Sequence, residues 1–178
     1  RIYIIQEFGA GITPDSTEYL TMAKNLVESG KLATFGSMFP DIMRPVFYSV
    51  ITASVYLLTD NLLFSGTIVS AISGSIICVL IYYISREFFD NTVSFLAGLM
   101  VAINYHLIKT SVYCWNDSAA LMFLLLSHLF GIKFIKNNRI IFAIISGIFF
   151  ALGFLTRQIV EIHFYFFILF LLGINLYQ

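Results

Sequence analysis

Polar and apolar positions divide the chain near residue 44. Residues 1–43 mix charges, among them Glu7, Asp15, Glu18, Lys24, Glu28 and Lys31, with Gly and Pro. Long apolar runs follow. In the first part Tyr19, Met22, Ala23, Leu26 and Val27 recur at three- and four-residue spacing, with Glu18, Lys24, Asn25 and Glu28 between them. That spacing predicts an amphipathic helix over about 14–29. Pro14-Asp15-Ser16-Thr17 offers its start and Gly30 its stop. It is too polar to span a bilayer and should lie on the membrane surface or pack beneath a lid. Residues 44–59 are apolar but only about sixteen long, short of the roughly 20 a spanning helix needs. Asp60-Asn61 closes this segment. Longer runs cover 62–85, 92–108, 118–135, 140–155 and 162–176. The pattern predicts an all-α fold, a polytopic membrane helix bundle. Residues 1–61 form an outer loop with two juxtamembrane helices, about 14–29 and 44–59, and residues 62–178 carry about five spans. Ser70, Ser73, Gly74 and Ser75 fit small-residue helix packing.

Composition sharpens the class. Of 178 residues, 59% are hydrophobic and 11% charged, against roughly 45–50% and about 25% in a soluble domain. This excludes an ordinary cytosolic enzyme, a disordered chain and a nucleic-acid binder with a basic face. Ten Lys and Arg balance ten Asp and Glu, so the position of charge matters more than its sum. Lys133, Lys136 and Arg139 cluster in one short turn, which marks the cytoplasmic side. Alternating the spans from there puts Arg86 inside and Asp60 and Asp117 outside. If 44–59 does not cross, Asp15 shares the outer face with Asp117. Cys78 and Cys114 have no metal-site spacing and are expected to be packing and loop thiols. The chain opens at Arg1 and ends at Gln178 inside an apolar run, and it is expected to be part of a longer protein.

Four residues could carry chemistry. Asp15 heads a helix just above the membrane, where a carboxylate can take a proton from a hydroxyl or simply cap the helix. Asp117 stands at the mouth of a span, with the same two readings. Together they could share a metal ion or substrate hydroxyls. Arg44, before Pro45, could clamp a phosphate or anchor the chain at the interface. Arg157 is the fourth, with Glu161 four residues on as its expected partner. Lys109 is a weaker candidate of the same kind. His106, His128 and His163 stand singly and are expected to be packed or interfacial rather than ligands.

Asp15, Tyr19, Ala23, Leu26 and Gly30 resemble the first outer loop of polytopic glycosyltransferases of the C superfamily. Within it they are similar to glycosyltransferase family 39, the dolichyl-phosphate-mannose protein mannosyltransferase type, with its aminoarabinose-transferase relatives. Arg44-Pro45-Val46-Phe47-Tyr48 is similar to the Lys/Arg/His-Pro-Pro segment that follows there, with Val46 in place of the second proline. Asn116-Asp117 matches the second acidic position. Gly147 through Arg157 resembles the glycine-rich span ending in Leu-Thr-Lys/Arg. Ser16 stands where some relatives have a second acid.

The resemblance implies transfer of a hexosyl or pentosyl group from a polyprenyl-phosphate donor to an acceptor hydroxyl, with inversion. It implies Asp15 as the base. Asp117 would position donor or acceptor, and Arg44 and Arg157 would stabilise the leaving phosphate. Tyr19 and Glu18, on the base's helix, join the substrate-binding set. No cofactor is expected, and a divalent metal, where one is used, would be held through Asp15 and Asp117. The implied partners are the lipid-linked sugar, a protein, lipid or glycan acceptor and the bilayer, with no nucleic acid. The implied place is the cell membrane, multi-pass, with the site on the extracytoplasmic side. The competing readings are a transporter or flippase component, with Ser65, Thr67, Ser70, Ser73 and Ser75 lining a pathway, and a non-catalytic member of the fold.

Overall fold

A computed structural model describes residues 11–34 and 44–160, together with 162, 163, 165, 166 and 169. The expected Glu161 partner and most of the expected last span lie outside the described residues. Every named element is an α-helix: α1 Pro14–Ser29, α2 Phe47–Thr59, α3 Leu62–Arg86, α4 Asn91–Ile103, α5 Tyr105–Val112, α6 Asp117–Asn137 and α7 Ile140–Thr156. Helical backbone resumes at Val160.

Local chemistry explains the boundaries. Thr13 caps α1 and forms a reciprocal capping box with Ser16, and Gly30 ends the helix in the left-handed region at φ 69°. The cap is therefore Thr13, not Asp15. Asn61, Asp90 and Asn104 each accept a backbone N–H at the start of α3, α4 and α5. Asn104 also breaks the run expected to be one span over 92–108. Its backbone is extended, and α4 and α5 meet there at a 55° bend. Among the described residues two helices, α3 and α6, are long and apolar enough to cross a membrane, or three crossings if the bent pair counts as one. Of the other expected spans, 140–155 is the 17-residue apolar helix α7 and 162–176 lies mostly outside the described residues. α2 begins at Phe47, so Arg44 and Pro45 precede it rather than open it.

α3 is central and touches α1, α2, α4, α5 and α6. Close approach is possible because its packed face is small: Ser65, Gly66, Thr67, Ser70, Ala71, Ser73 and Gly74 are all buried. At Gly66 a Cβ would lie 2.7 Å from Leu20 and 3.3 Å from Cys114 Sγ. Large apolar side chains such as Ile72, Val79, Phe95, Met100 and Ile144 point outward, as suits a lipid-facing surface. Ser75 is also exposed rather than packed.

Most buried polar side chains among the described residues are paired, Thr52 Oγ1 being an exception. Tyr48, with no exposed surface, has its hydroxyl 2.9 Å from the Gly66 carbonyl and 2.8 Å from Ser70 Oγ. Ser70 in turn donates to the Trp115 carbonyl at 3.0 Å. Trp115 Nε1 donates to Thr13 Oγ1 at 2.7 Å, so the cap of α1 is tied to the loop before α6. Beside it Gly11 bridges to Tyr113, whose ring stacks on Trp115 at 4.8 Å. A Cβ at Gly11 would fall 2.3 Å from that ring, so only glycine fits there.

Two substitutions test this frame. Tyr48→Phe keeps the ring packing and removes the hydroxyl; thermal unfolding in detergent should show a loss of about 1–2 kcal/mol. Trp115→Phe removes the donor to Thr13, and amide exchange at Ser16 and Thr17 should speed up about 5-fold while the middle of α3 is unchanged.

Candidate functional site

The first turn of α1, the first turn of α6 and the residues just after α7 converge at one end of the bundle. There they line a cavity of about 570 Å³ with Asp15, Tyr19, Pro45, His106, Asn116, Asp117 and Arg157 on its walls. Thr13 carries the capping duty, which leaves the exposed Asp15 carboxylate unneeded for the helix start. Tyr19 stands one turn further along the same face. Tyr48 packs edge-on against its ring at 5.6 Å and 78°, and Ser49 Oγ donates to its carbonyl at 3.0 Å. Burial pushes the Tyr19 phenol up, Arg44 and Arg157 pull it down, and Asp15 and Asp117 raise it. The phenol therefore remains a neutral O–H donor.

Asp117 opens α6 without capping it and is paired with Arg157, which directly follows α7. Both side chains are about one-third exposed, 35% and 39%, so the pair can be reached from the cavity. A guanidinium has five N–H donors, so Arg157 can hold Asp117 and still present donors to an anion.

Arg44 and Glu18 fall differently from the expectation. They form an ion pair with each other, and neither lines the cavity. The reason is local: Glu18 lies on the α1 face turned toward the segment leading into α2, and that segment carries Arg44. Pro45 reaches the cavity wall instead. Lys109 lies over the Tyr113 ring, 5.7 Å from its centre, and is not on the wall.

Two wall residues were given no role in the site from the sequence: His106, expected to be packed or interfacial, and Asn116. His106 faces the cavity because the Asn104 break turns α5 back over the site. Asn116, only 4% exposed, donates to Tyr19 Oη at 2.9 Å and to the Thr156 carbonyl at 2.7 Å. The sequence signal for it was an Asn beside Asp117 at a helix start, which local rules read as a cap.

A second cavity of about 270 Å³ shares His106, Thr110, Asp117, Arg157 and Ile159 with the first and continues along Leu121, Leu124 and Val160. The site is thus polar at one end and apolar as it runs down α6. The other end of α6 carries the Lys133, Lys136 and Arg139 turn, where Lys136 Nζ meets Glu87 at 2.9 Å. The 21 residues of α6 separate the two ends by roughly 30 Å at 1.5 Å per residue.

Cys114 is fully buried, its thiol 3.2 Å from Thr67 Oγ1, and burial raises its pKa. Among the described residues no group of three or more His, Cys, Asp or Glu is placed to hold a metal ion. Ser65, Thr67 and Ser70, the expected lining of a transport pathway, are buried and bonded to Thr59, Cys114 and Trp115.

No curated protein and no solved structure matches the chain. One family model does, that of dolichyl-phosphate-mannose-protein mannosyltransferase, over residues 43–177. The match takes in Arg44, Asp117 and Arg157 and begins after Asp15, Glu18 and Tyr19. With apolar helices of membrane-spanning length and a match over most of its residues, the chain belongs to the dolichyl-phosphate-mannose-protein mannosyltransferase family, membrane glycosyltransferases of the C superfamily.

Proposed function

We propose that this protein moves a sugar from a polyprenyl-phosphate donor to an acceptor hydroxyl in the cavity between α1, α6 and the segment after α7. One observation supports this above others. A carboxylate that is not needed to cap its helix, Asp15, faces the same cavity as an accessible arginine, Arg157, and a more apolar cavity leads away from that arginine. This is the arrangement that a hydroxyl nucleophile and a lipid-linked phosphate leaving group require.

Asp15 takes the acceptor proton as the acceptor oxygen bonds to the anomeric carbon. The bond from that carbon to the phosphate oxygen breaks, and its electron pair leaves with the lipid phosphate. A phosphate needs little acid help to leave, but it gains negative charge as it does so. Arg157 is set to bind that charge, and Asp117 holds Arg157 in place. Arg44, held by Glu18 away from the wall, acts on the site only through its field. The second cavity suits the first isoprene units of the carrier. A divalent cation held through Asp15 and Asp117 would compete with Arg157 for Asp117, and among the described residues no third acidic, His or Cys ligand joins them, so no step is routed through one.

The basic turn at the far end of α6 favours a cytoplasmic placement of that end. The cavity then opens on the extracytoplasmic face of a multi-pass protein, where a lipid-linked sugar meets its acceptor.

The test uses the protein in membrane vesicles with labelled dolichyl-phosphate mannose. Asp15→Asn should lower transfer by about 10²–10⁴-fold with expression unchanged; transfer at the wild-type rate would move the base elsewhere. Arg157→Ala should lower kcat by about 10²-fold, with Arg157→Lys recovering part of it. Equal rates for all three forms at this position would remove Arg157 from the leaving-group role.

A further inference from the structure

We propose that Asn116 is a positioning residue that turns the Tyr19 hydroxyl hydrogen into the cavity, where Tyr19 donates it to a phosphate oxygen of the lipid-linked donor. The proposal rests on the transferase reading above and deepens it.

The direction of each hydrogen bond follows from donor and acceptor inventory. A backbone carbonyl can only accept, so the Asn116 atom 2.7 Å from the Thr156 carbonyl is the amide nitrogen. That nitrogen has a second hydrogen, which goes to Tyr19 Oη at 2.9 Å. Tyr19 therefore accepts from Asn116. Its own hydrogen cannot point back along the same line, because two hydrogens would meet. A phenol hydrogen prefers the ring plane, which leaves two positions, and Asn116 removes one of them. Among the described residues, no protein acceptor is paired with the Tyr19 hydroxyl hydrogen.

Rotation of the ring does not relieve this. Tyr48 packs edge-on against it, and Ser49 holds the Tyr19 carbonyl. Tyr19 and Arg157 line the same cavity, and the free side of the hydroxyl is assigned to it. Arg44 and Arg157 on one side and Asp15 and Asp117 on the other act on Tyr19 through space, and of the two cations Arg157 shares its cavity wall. Burial keeps the phenol protonated, as a donor must be. Both amide hydrogens of Asn116 are committed to Thr156 and Tyr19, so it acts through Tyr19, which makes the contact.

The test separates this role from packing. Binding of dolichyl phosphate, the donor without its sugar, is measured on the purified protein for wild type, Tyr19→Phe, Asn116→Ala and the double variant. Tyr19→Phe keeps the ring and should bind about 10-fold more weakly, the worth of one hydrogen bond to a charged group. Asn116→Ala should weaken binding to a similar extent. In the Tyr19→Phe background it should cost almost nothing further, because the group it directs is gone. Unchanged binding by Tyr19→Phe overturns the proposal, whether or not Asn116→Ala folds. A cost of Asn116→Ala that is the same in both backgrounds overturns the positioning role and leaves Asn116 as packing. Transfer from dolichyl-phosphate mannose is followed in parallel. A wild-type protein that binds dolichyl phosphate with this non-additive pattern yet transfers nothing would sink the transferase reading and support the anion contact.

Discussion

Between packed helices a hydroxyl or amide without a partner costs about 1–3 kcal/mol, more than a paired one returns. The loop at residues 113–117 meets that constraint by binding a different part of the molecule with each side chain. Tyr113 lies against Gly11, Cys114 against Thr67 and Trp115 against Thr13. Asn116 reaches Tyr19 and Thr156, and Asp117 reaches Arg157. Remove this loop and α1, α3 and α7 lose their common reference. The small residues on α3 allow the loop to come so close, since Gly66 has Cys114 directly over it.

The relative strength of these contacts bears on what the site can do. The Asp117–Arg157 pair is about one-third exposed, so solvent screens it and its own stabilising worth is small, roughly 0–1 kcal/mol. The Asn116 amide is buried, and losing it would strand the Thr156 carbonyl and the Tyr19 hydroxyl together. Neutral hydrogen bonds therefore hold the geometry. The charged pair beside them adds little to the stability of the fold.

Position along the membrane normal follows from lengths. α6 reaches from the cavity to the basic turn in one pass, whereas α4 and α5 do not continue as one rod. The break at Asn104 brings His106 and Thr110 over the site instead of sending them on past it. α2 is too short to cross, at 13 residues, and packs on α1 and α3. Its Tyr48 supports the ring of Tyr19. α2 and α5, neither long enough to cross alone, thus both help to shape the cavity.

The sequence alone determined what depends on neighbours within a few residues and on bulk transfer energy. Apolar run lengths identify a helical membrane bundle, and Pro14 and Gly30 bracket α1. Asp15, Asp117 and Arg157 stand out as charges beside apolar runs, where charge is expensive. Tertiary structure decided the rest. Arg44 is spent on Glu18, and a buried Asn that reads locally as a cap spans from α6 to Tyr19, 97 residues away. The apolar run at 92–108 is cut by a cap that its hydropathy does not register. The physical reason is range. Hydrophobic periodicity and capping are encoded within one or two turns of helix. Which donor meets which acceptor across a helix seam depends on how closely the backbones pack, and no stretch of chain carries that information by itself.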